Sequence, residues 1–192
     1  MASPIQICGW LWTIWLAIWL IWAFQSKKTS QKESFLSRLS YGLLVWAALI
    51  LFFYRGPLPG WLNAPVIAYR SWFGGLAITI TALGFAFTLW ARAYLGSNWS
   101  GNVTIKVGHE LIRTGPYRLV RHPIYTGIIV ASIGTALAYD RWRCIVALPL
   151  LWLAFTVKRL KEERFMRQTF GNQYDDYART TGAIFPLPLR RS

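Results

Sequence analysis

At 192 residues the chain has the size of one domain, but 55% of it is hydrophobic, 12 residues are Trp and its mean hydropathy is positive, which excludes an ordinary soluble globule. The net charge of +14 lies in short segments between apolar runs, a pattern that fits membrane topology and anionic headgroups and argues against nucleic acid. Two distant cysteines, Cys8 and Cys144, and two histidines, His109 and His122, are too few for a disulfide framework or a metal centre.

Ile5 to Phe24 is uncharged and long enough to cross a hydrocarbon core of roughly 30 Å. Met1 to Gly9 has no basic start, so this run is expected to remain as a span rather than act as a secretory signal. Trp12, Trp15, Trp19 and Trp22 recur at three- and four-residue spacing, which puts them on one helix face as a packing or lipid-facing stripe. A second apolar run, Tyr41 to Tyr54, stops at Arg55-Gly56-Pro57, and a third extends from Trp72 to Leu95, with Arg92 near its end expected to snorkel toward the headgroups. Ile124 to Tyr139 and Cys144 to Val157, split by Asp140-Arg141-Trp142-Arg143, read as a tight helical hairpin whose ends emerge together.

Lys and Arg exceed Asp and Glu by three in residues 25–40, three in 96–123 and four in 158–192, against two in 55–71 and one in 140–143. The positive-inside bias places the first three segments in the cytoplasm. The expected fold is therefore all-α: one integral membrane domain over 1–192, of about five transmembrane helices, with three spans in 1–95, the loop and hairpin in 96–192, and a cytoplasmic C-terminal amphipathic helix.

The chemistry concentrates in the loops. Gly115-Pro116-Tyr117-Arg118 and Arg121-His122-Pro123-Ile124-Tyr125-Thr126-Gly127 lead into a helix opened by Pro123, whose free amides and dipole favour an anion beside His122 and Arg121. Glu162 and Glu163 follow the last apolar run; they would suit a ligand ammonium, or simply pair along a helix, since Lys158 with Glu162 and Glu163 with Arg167 stand four apart. An anion site and a carboxylate pair on one membrane face match the amino-acid end of S-adenosylmethionine.

These segments, followed by Phe170-Gly171-x-x-Tyr174-x-x-Tyr177, resemble the isoprenylcysteine carboxyl methyltransferase family and, more loosely, membrane phospholipid methyltransferases, over roughly residues 90–186. The resemblance implies a multi-span enzyme with an S-adenosylmethionine pocket between the Arg-His-Pro loop and the C-terminal helix, and an opening to the bilayer for a lipophilic or lipid-linked substrate. Tyr117, His122, Tyr125 and Gly127, with Arg121 and Pro123, map onto its cofactor motif, and Glu162 and Glu163 onto its acidic pair. Arg121 and His122 are expected to hold the cofactor carboxylate and Glu162 or Glu163 its ammonium, while Tyr117 and Tyr125 shape the pocket and Asn98 and Trp99 approach the acceptor. The segment Thr181-Gly182-Ala183-Ile184-Phe185-Pro186 departs from many relatives in lacking a basic residue before the final proline; Arg179 is the nearest.

A carboxylate acceptor, already nucleophilic at neutral pH, is favoured; an amine acceptor would need a base. Two competing readings are a phospholipid or amine N-methyltransferase and a non-catalytic assembly or carrier protein. A nicotinamide-dependent reductase ranks last because no dinucleotide-type glycine loop is present. The compact size suits a prokaryotic inner membrane with the site facing the cytoplasm.

Overall fold

The computed structural model describes residues 2–23, 29–54, 56–67, 71–99, 104–106 and 110–187. Six helices follow in order among them: α1 (Pro4–Ala23), α2 (Phe35–Phe53), α3 (Ser71–Leu95), α4 (Pro123–Tyr139), α5 (Trp142–Phe170) and α6 (Asn172–Thr180). α1, α2 and Trp72–Leu95 of α3 are long and apolar enough to cross a membrane, whereas α4 is a shorter apolar helix. The chain is an integral membrane protein with a helical framework. To the all-α expectation the structure adds a small antiparallel ribbon, β1 (Thr29–Lys32) with β2 (Thr104–Lys106), pairing Thr29 with Lys106 and Lys32 with Thr104.

Local chemistry sets the boundaries. α2 begins six residues ahead of its apolar run because the Ser34 hydroxyl caps it, accepting from the Ser37 amide at 3.2 Å. α3 ends at Gly96, whose φ of +52° is the left-handed conformation that terminates helices cheaply only at glycine. Asp140, also left-handed at φ 47°, closes α4, and its carboxylate accepts from the amides of Val66 and Ile67 at 3.1 and 3.0 Å. α5 then starts at Trp142 and, rather than ending with its apolar arm at Val157, continues unbroken to Phe170.

The tightest packing joins α3 to α4 through small residues. A side chain on Gly84 would stand 2.4 Å from the Ala131 amide nitrogen, and one on Gly134 2.6 Å from the Thr81 amide nitrogen, so the two backbones touch. The tryptophan stripe of α1 lies across this seam. Trp12 Nε1 donates to Thr135 Oγ1 at 2.9 Å and Trp15 Nε1 to Thr88 Oγ1 at 2.6 Å, which satisfies the indole N–H groups away from water. α2 packs on α5 through Ala48 and Phe52 against Ala147, Leu151 and Phe155. Lys161 Nζ donates to Ser37 O at 2.6 Å and Ser40 Oγ at 2.7 Å. Together with the ribbon, this brings parts of the three basic segments, 25–40, 96–123 and 158–192, to one end of the bundle.

Candidate active site

The turn before α4 is held by the C-terminal segment. Val120 bridges Gly182 in parallel, the Arg121 amide donates to Gly182 O at 2.8 Å, the His122 amide to Ala183 O at 2.9 Å, and Thr126 Oγ1 to Ile184 O at 2.8 Å. Tyr177 Oη donates to Tyr117 O at 2.5 Å, fastening α6 to the preceding turn. Gly115 supplies the left-handed bend there, φ +59°, and any side chain on it would meet the Tyr94 ring at 2.4 Å.

Around this scaffold the expected residues converge on the acidic pair. Glu163 Oε1 accepts from Arg121 Nη2 at 2.9 Å and Nε at 3.3 Å and lies 3.1 Å from His122 Nε2. Arg159 and Arg167, one turn away on either side along α5, come within 3.7 and 3.5 Å of the same carboxylate. Glu162 accepts from Tyr125 Oη at 2.6 Å and lies 3.5 Å from His122 Nδ1. The helix pairing of Glu163 with Arg167 is thus present beside the contacts to Arg121 and His122.

The two carboxylates differ in access: the Glu163 side chain is 4% exposed and that of Glu162 24%. Burial pushes the Glu163 carboxyl up, but the hydrogen bond and charge of His122 and the Arg121 guanidinium prevail and hold it down to about 2. Glu162 is lowered in the same way, burial being outweighed by His122, Lys158 and Tyr125. For His122 burial works against the charged form, and the two carboxylates override it, raising the imidazole above its ordinary value. The cluster is an anion–cation lattice with His122 at its centre.

Rings on α4 and α5 stack against it. His122 stacks on Tyr125 at 5.4 Å and 3°, Tyr125 stacks on Phe155 at 4.7 Å and 7°, and Lys158 Nζ lies 5.5 Å above the Tyr125 ring. Pro123 opens α4 at its first position, and Thr126 N to His122 O, 3.1 Å, is the helix's first bond, so the Ile124 and Tyr125 amides precede it. Gly127 faces α3: a side chain on it would meet Thr88 Cγ2 at 2.5 Å and Gly84 O at 2.6 Å, so its place in the motif is explained by helix packing.

Some expectations met different surroundings. Arg121 spends its donors on protein, with Nη1 reaching Ala178 O at 3.0 Å as well as Thr181 O, besides the bonds to Glu163. Arg92, expected to reach toward the headgroups, is 3% exposed and donates to Gly96 O and Trp22 O, both at 2.6 Å, carbonyls at the ends of two helices. Trp99 lies against Arg92 and Trp19 rather than in the acidic cluster. The Asn98 side chain lies outside the described residues, as does His109. Sequence reasoning missed Arg159 as a partner of Glu163, although the four-residue spacing was visible. It also missed Tyr177 as a clamp on Tyr117, a contact that spans 60 residues and leaves no local trace. Among the described residues no group of three His, Cys, Asp or Glu side chains is placed to hold a metal ion.

Residues 76–168 match the isoprenylcysteine carboxyl methyltransferase family. A probable protein-S-isoprenylcysteine O-methyltransferase of Oryza sativa subsp. indica is 39% identical over 80 residues, 41% of this chain and 42% of the relative. The nickel-cobalt-cadmium resistance protein NccN of Alcaligenes xylosoxydans xylosoxydans is 28% identical over 172 residues, covering 85% of this chain and 72% of its own. A solved eukaryotic intramembrane Ras methyltransferase of this family superimposes with a TM-score of 0.55 at 26% identity, over 79% of this chain and 51% of that one. The chain thus spans about half or less of the rice relative and of the solved chain. The matched region contains the Arg121-His122-Pro123 turn, the Glu162–Glu163 pair and the seam of α3 with α4, and over these residues the chain is similar to the isoprenylcysteine carboxyl methyltransferase family.

Proposed function

We propose that this protein is an integral membrane methyltransferase that uses S-adenosylmethionine to methylate a carboxylate on a lipophilic or lipid-linked acceptor. The observation that carries the reading is the convergence of Arg121, His122, Tyr125, Glu162 and Glu163 at the end of the bundle where basic segments meet. The donor set fits the cofactor's amino-acid end. Glu162, the more exposed carboxylate, takes the ammonium; Arg121 and His122, with the first-turn amides of α4, present positive charge to the carboxylate. Glu163 holds Arg121 and His122 in place, Tyr117 and Tyr125 line the pocket, and Asn98 and Trp99 lie on the acceptor side. The bound sulfonium supplies an already activated methyl group, so the protein's task is alignment of the acceptor.

In the bilayer the reading has five crossings, with α4 and α5 as the last two. α4, 17 residues, is about 26 Å long, near the thickness of the core, and α5, 29 residues, is long enough to cross and then carry Lys158 to Arg167 beyond it. The positive-inside bias faces the site to the cytoplasm of a prokaryotic inner membrane, with the acceptor entering from the lipid and α6 lying amphipathically at the surface.

The test is titration calorimetry of S-adenosylmethionine on the folded protein in lipid, with His122→Ala and Glu162→Gln, followed by labelled-methyl transfer to a prenylated cysteine in proteoliposomes. Saturable binding that both variants lose, and a product releasing methanol in mild base, are expected. A base-stable product would move the acceptor to an amine, and absence of binding by well-folded protein would promote a non-catalytic role.

A further inference from the structure

Arg92 is the buried cation that the site described above does not use. Among the described residues its guanidinium pairs with no carboxylate; it lies 4.7 Å from the Trp99 ring centroid and 5.6 Å from that of Trp22, and its Nε is buried without an acceptor. A guanidinium buried without a counterion is costly, and a residue so placed does something that an apolar side chain of the same size could not.

Its contacts show what that is. Trp22 O belongs to the last turn of α1 and Gly96 O lies just beyond α3, so one guanidinium satisfies carbonyls at two helix ends, where the dipoles favour positive charge. The Gly96 carbonyl it grips also accepts from the Trp99 amide at 3.3 Å, so the turn carrying Asn98 and Trp99 is anchored at its root. The Trp99 indole is then held between the guanidinium face and the edge of Trp19, whose ring is 5.4 Å away at 89°. The same last turn of α3 carries Tyr94, whose ring packs against Gly115 at the root of the donor loop, so this helix end joins the Gly96–Trp99 turn to that loop.

We propose that Arg92 is a positioning residue for the acceptor: it fixes the Gly96–Trp99 turn and the Trp99 ring against the ends of α1 and α3, and thereby sets where a lipophilic acceptor lies relative to the donor loop. The assignment of Trp99 to the acceptor side rests on the function proposed above; the clasp itself does not. Lysine keeps the charge but cannot bridge two carbonyls while presenting a flat face to an indole, so Arg92→Lys separates clasp from charge.

The experiment uses the full chain in proteoliposomes, labelled with 5-fluorotryptophan, the Trp99 resonance being assigned with Trp99→Phe. In Arg92→Lys and Arg92→Gln the Trp99 signal is expected to move and become accessible to a soluble paramagnetic quencher, while S-adenosylmethionine affinity stays within about twofold. With N-acetyl-S-farnesylcysteine as acceptor, KM is expected to rise about tenfold with kcat little changed, Trp99→Leu giving a similar rise and the double variant no further one. A Trp99 signal unchanged in both Arg92 variants, full recovery by lysine, or cofactor affinity falling in step with acceptor affinity would overturn the proposal. If the wild-type protein transfers no methyl group, the proposed activity fails, and the fluorine signal still decides the clasp.

Discussion

Neutralising Glu163 removes the hub of the site, and the structure sets the size of the effect. The side chain is 4% exposed and accepts two bonds from Arg121 and one contact from His122, with Arg159 and Arg167 nearby. A carboxyl held down from 4.5 to about 2 contributes about 3 kcal/mol to folding while ionised. Removing one member of a buried pair independently costs about 3 to 5 kcal/mol. Glu163→Gln keeps an oxygen acceptor and the volume, so about 3 kcal/mol is expected, read from reversible unfolding in mixed detergent–SDS micelles at pH 7. The folded pKa is depressed, so the contribution is complete above about 4.5 and is lost as pH falls toward 2; the gap between wild type and variant should close over that range. A gap under about 1 kcal/mol at pH 7, or one that is undiminished at pH 3, would refute the hub.

His122 titrates with the opposite sign: its folded pKa is raised, so its contribution is complete below 6.5 and declines as pH rises through the elevated value. Nitrogen-15 NMR of histidine-labelled protein, with His109→Gln to remove the other signal, should find His122 titrating above the ordinary histidine value; a midpoint at or below it would contradict the carboxylate lattice. Along the α3–α4 seam, Gly84→Val should cost about 3 kcal/mol or more because its Cβ meets backbone atoms, whereas Gly75→Ala, which points into open space on the same helix, should be neutral or slightly stabilising in the same unfolding assay.

The spans were legible because a bilayer imposes a length and a polarity that single runs such as Ile5 to Phe24 display directly. Helix starts were less so. The first two turns of α2 hold Ser37, Arg38 and Ser40, which give no hydropathy signal although the Ser34 cap had already begun the helix. The β1–β2 ribbon was illegible, since it pairs polar stretches more than 70 residues apart whose only local sign is β-branched Thr104-Ile105. The residues of the acidic cluster could be read from their motif, but their partners could not. Arg121 looked available to a ligand until the C-terminal segment, folded back along Val120 to His122, engaged it through main-chain carbonyls. For Arg92 hydropathy sees a cation near a helix end, and only the fold reveals that another helix ends beside it.

The charge state of the cluster also bears on which acceptor it can serve. A protonated amine must lose its proton before it attacks the sulfonium, and that requires a base with a pKa near neutrality. At this site the two carboxylates raise the His122 pKa and so favour its charged form, Glu162 and Glu163 are held below the usual carboxylate range and so are weak bases, and burial raises Tyr117. Each shift takes the group away from the role an amine acceptor would need. A carboxylate acceptor needs no such group, since with a pKa near 4 it is ionised throughout the neutral range. The rate of methyl transfer at saturating cofactor and limiting acceptor should therefore be flat, within about twofold, from pH 6 to 8. A rate rising about tenfold per pH unit over that interval would show that deprotonation controls the reaction, and would favour the amine.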